Sequence, residues 1–218
     1  MRNFFLALLI AATEVSAQQC DCIWRGSFSD VAKKADLIIA GEIISRSGNS
    51  ADIKIEKIFQ GKHFQDSARI WGAMTLRDGT PLCRANLEEF PTGSRWVLAL
   101  EKITEVPKNG FNPATPSLSF GRKDDYALSN CGAYWLAADG ETARGNLVNG
   151  KRWSYDNRDN DNNEIAAISF QQLTDFLGGK LSAKQLLALT TTTKEYRQLM
   201  NQSRQQLLKN DIETLKAE

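Results

Sequence analysis

Histidine is almost absent from this chain of 218 residues: His63 stands alone, in Gly61-Lys62-His63-Phe64. That scarcity excludes the two-histidine zinc helix H-E-x-x-H, and it leaves a serine or cysteine nucleophile with a single candidate base. No G-x-S-x-G elbow and no phosphate-binding glycine loop occurs either. As a general base His63 would need a partner that sequence cannot supply, so it is expected to be an exposed loop residue beside a turn. Charge of one sign is also lacking. Lys and Arg number 27 against 26 Asp and Glu, a net +1, and the basic residues are scattered, which removes the electrostatic footprint of a nucleic-acid binder.

Long apolar runs are missing as well. The longest at the N-terminus, Phe4 to Ala12, has nine residues, well short of the roughly 20 that a membrane-crossing helix needs. Preceded by the charge on Arg2 and followed by the small residues Val15-Ser16-Ala17, it has the layout of a secretory signal peptide at residues 1–17, with the mature chain starting at Gln18. Gln19 stands where a lipid-modified Cys20 would want a small residue. The expected location is secreted or periplasmic, with no membrane span.

Cysteines are few, but export gives them meaning. Cys20, Cys22, Cys83 and Cys131 would sit where disulfides persist. Cys20 and Cys22 are two apart, so on an extended segment they leave the same face, and a bond between them would be strained. Each should therefore reach a distant partner, and the two remaining pairings both pin the N-terminus to Cys83 and Cys131. Closing a loop of about sixty residues stabilises by about 4 kcal/mol on the chain-entropy model. A zinc site from the same thiolates has poor spacing and hostile surroundings, so no cofactor is expected.

The rest of the chain reads as short strands punctuated by turns. Ser27 to Ala35 has serines able to cap and apolar residues at helical spacing, which predicts a short helix. Leu37 to Ile44 and the run through Ile53, Ile55, Ile58 and Phe59, joined by Ser47-Gly48-Asn49-Ser50, predict an antiparallel hairpin with one wet face. Further strands are expected at Ala68–Trp71, Trp96–Leu100, Tyr126–Cys131 and Ala143–Trp153, with a turn at Asp78-Gly79-Thr80-Pro81. Between Val106 and Asp125 lies an irregular loop holding Pro107, Pro113 and Pro116, and loops of this length are commonly functional. Five or six such strands suit a small closed barrel or sandwich. Trp24, Trp71, Trp96, Trp135 and Trp153 are expected in its core or rim.

Helical signals return near the end. Ser169 with Gln172, then Leu173, Phe176 and Leu177 before Gly178-Gly179, predict a capped helix, and Ser182 with Gln185 repeat the device. The apolar stripe beyond is thin, so the barrel is expected to fold without Ser182–Glu218. In the polar stretch before the helices, Asp159, Asp161 and Asn163 alternate like calcium ligands. The turn glycine and the later bidentate Glu of a calcium loop are missing, which leaves a solvated turn as the expectation.

An exported chain that opens Cys20-Asp21-Cys22, follows with a short helix and then Ala35-Asp36-Leu37-Ile38-Ile39-Ala40-Gly41-Glu42-Ile43-Ile44 resembles the netrin-type (NTR) module, the fold of the tissue inhibitors of metalloproteinases. The likeness continues through Cys83, Phe90, Gly93, Trp96–Leu100 and Leu128-Ser129-Asn130-Cys131-Gly132, and covers about residues 20 to 137. It implies a mainly β domain at 18–155: a five-stranded OB-fold-like barrel stapled by Cys20–Cys83 and Cys22–Cys131. A helical C-terminal extension is expected at 164–218. It also implies a non-catalytic protein-binding module whose partner-binding edge is Cys20, Asp21, Cys22 and Ile23, with a protease as the partner class. In the inhibitors, the first cysteine chelates the target's zinc through its free amine. Here Gln18-Gln19 would precede Cys20 and Asp21 would face a mostly apolar pocket, so zinc chelation is not expected. The competing reading is a structural envelope or self-associating protein acting through its C-terminal helix.

Overall fold

The structure, a computed structural model, describes residues 20–108, 118–148 and 166–189. The leader, the calcium candidates Asp159, Asp161 and Asn163, Trp153, and the chain beyond 189 lie outside the described residues. Chain order is α1 (Phe28–Ala32), β1 (Leu37–Ser47), β2 (Ser50–Gln60), β3 (Ser67–Trp71), a 3-10 turn at Leu87–Glu89, β4 (Arg95–Lys102), β5 (Tyr126–Ala127), β6 (Trp135–Asp139), β7 (Thr142–Gly145), β8 (Ala166–Ser169), α2 (Phe170–Leu177) and α3 (Ala183–Leu189).

The first five strands close on themselves in the order β1-β2-β3-β5-β4, with β4 returning to β1. Every pairing is antiparallel except β3 with β5, where Ile70 faces Tyr126 and Trp71 faces Ala127. This is a closed five-stranded barrel in the strand order of the OB fold. β1 is its axis of closure, because Leu37 to Glu42 pair with Leu100 to Arg95 on one edge while the same strand pairs with β2 on the other. β6 adds to β4 beside β5, and β7 and β8 extend the sheet outward.

Local sequence explains much of this. The Asp30 carboxylate accepts from the backbone N–H of Ser27 at 3.0 Å and from its hydroxyl at 2.7 Å, fixing the start of α1. Ser169 and Gln172 make the reciprocal pair that starts α2: the Gln172 N–H donates to Ser169 Oγ at 3.2 Å, and the Ser169 N–H donates to Gln172 Oε1 at 2.8 Å. Ser182 and Gln185 do the same before α3.

Several expectations need correction. The hairpin does not keep one wet face along its length: Leu37 to Gly41 are all buried, and Leu37 to Ala40 share one core cluster with Phe28, Val31 and Ala32 of α1 and Phe170 and Leu173 of α2. The strand expected at Tyr126–Cys131 is two residues long, after which Ser129 makes an isolated bridge to Arg84. The strand expected from Ala143 begins at Thr142 and ends at Gly145. β6 and β8 were not anticipated. Leu186 of α3 is fully buried in the same core cluster, which ties the start of the C-terminal helical segment to the barrel.

Polar groups at the hairpin tip hold the loop that follows β4. Asn49 is 6% exposed; its Nδ2 donates to the carbonyls of Ser119 (2.8 Å) and Gly72 (3.3 Å), and its Oδ1 accepts from the Ser119 N–H at 2.9 Å. Asn49→Ala strips both partners from Ser119 and should cost about 2–3 kcal/mol in a urea titration, with the m-value unchanged.

A second polar feature gives the fold a pH dependence. Arg69 binds Asp52 through two bonds, Nε to Oδ1 at 2.7 Å and Nη2 to Oδ2 at 2.8 Å, and Ser45 donates to Oδ2 at 2.9 Å. The Arg69 bonds hold the Asp52 carboxyl below its ordinary value of 3.8, with the Ser45 bond adding to the effect and burial opposing it. A carboxyl lowered in the folded state stabilises above its unfolded value and loses that contribution as pH falls through the lowered one. Asp52→Asn should therefore flatten the decline of stability below about pH 4 and lower stability at pH 7, read from urea midpoints across the range.

Candidate functional site

The N-terminal edge is built by two bonds and by alternation. Cys20 is bonded to Cys83 and Cys22 to Cys131, with Cα separations of 5.3 and 5.9 Å. Cys20 and Cys22 are half-buried, while the intervening Asp21 and the following Ile23 point outward, Ile23 to 89% exposure. The two adjacent disulfides pre-order the backbone that carries Ile23, so a partner meeting this side chain would lose little conformational entropy in ordering it.

Beyond Ile23 the chain is fixed against the segment that carries Cys131. The Arg25 N–H donates to the Cys131 carbonyl at 2.6 Å, and the Ala133 N–H donates to the Gly26 carbonyl at 3.0 Å. The Arg25 guanidinium donates through Nη1 to Glu101 Oε1 at 2.7 Å and to the Tyr134 hydroxyl at 3.0 Å; that hydroxyl in turn donates to Glu101 Oε1 at 3.0 Å. Burial pushes the Tyr134 phenol above its ordinary value of 10.0, which keeps it a neutral donor in this triangle. The Trp24 indole Nε1 is buried with no hydrogen-bond partner among the described residues.

A groove of about 400 Å³ runs beside Cys20, walled by Met74, Pro81, Leu82, Glu89, Asn130 and Trp135. Its rim is the loop carrying the expected turn at Asp78–Pro81, closed by Leu76 N–H to the Thr80 carbonyl at 2.8 Å and Leu82 N–H to the Met74 carbonyl at 2.8 Å. The adjoining Arg84 is a feature that sequence gave no hint of. Its residue is 9% exposed, its guanidinium sits 4.3 Å from the Phe120 ring centroid and donates to the Phe120 carbonyl, and no carboxylate reaches it within ion-pair distance among the described residues. Burial pushes it down to about 10, with Glu101 opposing.

His63 is not the exposed loop residue that was expected. It is half-buried, with Nδ1 3.2 Å from the Tyr126 hydroxyl and Nε2 3.0 Å from the Ser67 carbonyl, while its neighbour Phe64 is 96% exposed. The turn after β2 tucks the imidazole against β5 and turns the phenyl outward. Trp71 is buried and donates to Asp125 Oδ2 at 2.8 Å; Trp96 and Trp135 flank Phe90 at 4.8 and 5.5 Å. These rings belong to core and rim, on separate clusters. The described C-terminal part of the Val106–Asp125 loop is tied down by Asn49 bonding Ser119 and by the Lys102–Asp124 pair at 2.9 Å.

The sulfurs of Cys20, Cys22 and Cys83 lie within 4.8 Å of one another, close enough for a metal, but each is already in a disulfide. No helix among the described residues is long and apolar enough to cross a membrane. Compared with known proteins, the chain matches no family model and no curated protein.

Proposed function

We propose that this chain is an exported, non-catalytic protein-binding module resembling the tissue inhibitors of metalloproteinases, and that it engages a protein partner through the edge Cys20-Asp21-Cys22-Ile23. The observation that carries this reading is the outward pair Asp21 and Ile23 on a segment held by two disulfides, with Ile23 89% exposed. Two disulfides suit an oxidising compartment, secreted or periplasmic, and accord with the leader-like first 17 residues. A non-catalytic role is supported by the engagement of both His63 nitrogens and by cysteines held in bonds rather than as thiolates.

Chelation of a protease zinc is not the proposed mode. In a chain beginning at Gln18 the Cys20 nitrogen is an amide without a lone pair for the metal, and Asp21 would carry a carboxylate into an apolar pocket. The test places a photo-crosslinker at position 23, and as a control at the equally exposed Phe64, in the producing cells. Position 23 should capture one defined protein that excess unlabelled chain displaces. Ile23→Asp should weaken binding of that protein at least about tenfold with an unchanged thermal midpoint. Equal capture from positions 23 and 64 would remove the edge from consideration. A mature chain that starts at Cys20 and blocks a zinc protease would put chelation in its place.

A further inference from the structure

The two disulfides are neighbours. Cys22 Sγ lies within 4.8 Å of both sulfurs of the Cys20–Cys83 bond, and Cys20, Cys22 and Cys83 are all half-exposed, whereas Cys131 is 4% exposed. Between the bridges stands the Asn130 side chain, whose Oδ1 is 3.6 Å from Cys20 Sγ and 3.7 Å from Cys131 Sγ. An amide oxygen gains nothing from a disulfide sulfur but can accept from a thiol S–H.

We propose that the bridges form an exchange pair, in which reduction of Cys20–Cys83 by an external dithiol lets Cys83 displace Cys131 from Cys22 and leaves the chain with a Cys22–Cys83 bond. In the first step one thiolate of the dithiol attacks the exposed Cys20–Cys83 bond, and its second thiol resolves the mixed disulfide. The reductant leaves oxidised by two electrons, and Cys20 and Cys83 are released as thiol and thiolate. In the second step the Cys83 thiolate attacks Cys22 Sγ. The Cys22–Sγ bond to Cys131 breaks, its electron pair goes to Cys131, and Cys131 takes a proton from water. No net electrons move in this step.

The end state explains where Asn130 sits. The two thiols left over are Cys20 and Cys131, the two sulfurs within 3.7 Å of its carbonyl oxygen, and the Cys83 carbonyl, 3.9 Å away, offers Cys131 a second acceptor. The alternative product, Cys20 bonded to Cys22, would close a three-residue ring and is strained. Exchange keeps the N-terminal edge tethered to position 83 while releasing it from Cys131. This chemistry stands whether or not the edge binds a partner.

The experiment treats the oxidised mature chain with one equivalent of dithiothreitol in native buffer, quenches with acid, labels thiols with N-ethylmaleimide and maps peptides without reduction. The expected product carries label on Cys20 and Cys131 and a Cys22–Cys83 crosslink. Cys20→Ser provides a second arm that needs no reductant: its three remaining cysteines should interconvert between Cys22–Cys131 and Cys22–Cys83 at a rate independent of protein concentration. Asn130→Ala, checked for folding by its thermal transition, should lower the Cys22–Cys83 fraction several-fold. Label confined to Cys20 and Cys83, or to Cys83 alone in Cys20→Ser, overturns the proposal. So does a Cys20–Cys131 crosslink in equal yield, which would mark scrambling through the unfolded chain.

Discussion

Replacing Cys22 and Cys131 together by alanine should lower stability by about 4 kcal/mol, and replacing Cys20 and Cys83 should cost nearly the same. The sequence separations, 63 and 109, would suggest that the second bridge matters more. They mislead because the bridges overlap. With either bond intact, the other closes an effective ring made of the two-residue step from 20 to 22 and the 48 residues from 83 to 131. That ring holds about 50 residues in both cases, so the entropy removed from the unfolded chain is the same. Loss of both bonds removes about 8 kcal/mol, which equals or exceeds the whole stability of many domains of this size. Urea titration of the two double-alanine variants and the quadruple variant measures all three values. A Cys22–Cys131 deletion costing twice the other would show that native-state contacts, not loop closure, dominate.

How much of this was readable before the fold depends on the range of the interaction. Helix starts are local, and Ser27 with Asp30, Ser169 with Gln172 and Ser182 with Gln185 each satisfy their own backbone within three residues. β1 and β2 announce themselves through isoleucine-rich runs, and β3 and β4 through short apolar stretches near turn residues. β6 does not, since Trp135-Leu136-Ala137-Ala138-Asp139 is alanine-rich and gains its strand identity from pairing with Trp96 to Leu98. The two-residue β5 is set by a parallel neighbour 56 positions away, between Ile70 and Tyr126, which no local pattern encodes.

The same division runs through the site. The cysteine spacing puts Cys20 and Cys22 on one face and disfavours a bond between them, because alternation is a property of extended chain. What spacing could not supply were the polar contacts made between distant segments. Arg25, Glu101 and Tyr134 come from three distant stretches, and Arg84 meets Phe120 across 36 positions. His63 was expected to be exposed because it lies beside a turn, yet Tyr126 and Ser67 are brought to its two nitrogens by the parallel pairing of β3 and β5.

Gly41→Ala should be the most damaging single methyl in the barrel, with a loss of about 3 kcal/mol or more. Gly41 lies mid-strand in β1, paired with Ile55 of β2 on one side and Trp96 of β4 on the other. The β1–β2 register shifts between Ala40 and Gly41, and there the strands come so close that a Cβ on Gly41 would stand 2.1 Å from the Lys54 carbonyl oxygen and 2.9 Å from Ile53 Cγ1. The first obstacle is backbone, which cannot rotate away as a side chain could. β1 cannot retreat either, because its other edge is bonded to β4 where the barrel closes. Relief would require breaking the pairing on one side, and with it the closure. A control separates this crowding from the general cost of losing a glycine. Gly79 has φ +86 with nothing within 4 Å of an added Cβ, so Gly79→Ala should cost only the roughly 1–2 kcal/mol of left-handed backbone. Both variants are compared by urea titration with disulfides intact. Near-equal costs would mean that β1 and β2 do not approach as closely at Gly41 as the register shift implies. A several-fold larger cost at Gly41 than at Gly79 is the expected result, since backbone meets backbone only at the first.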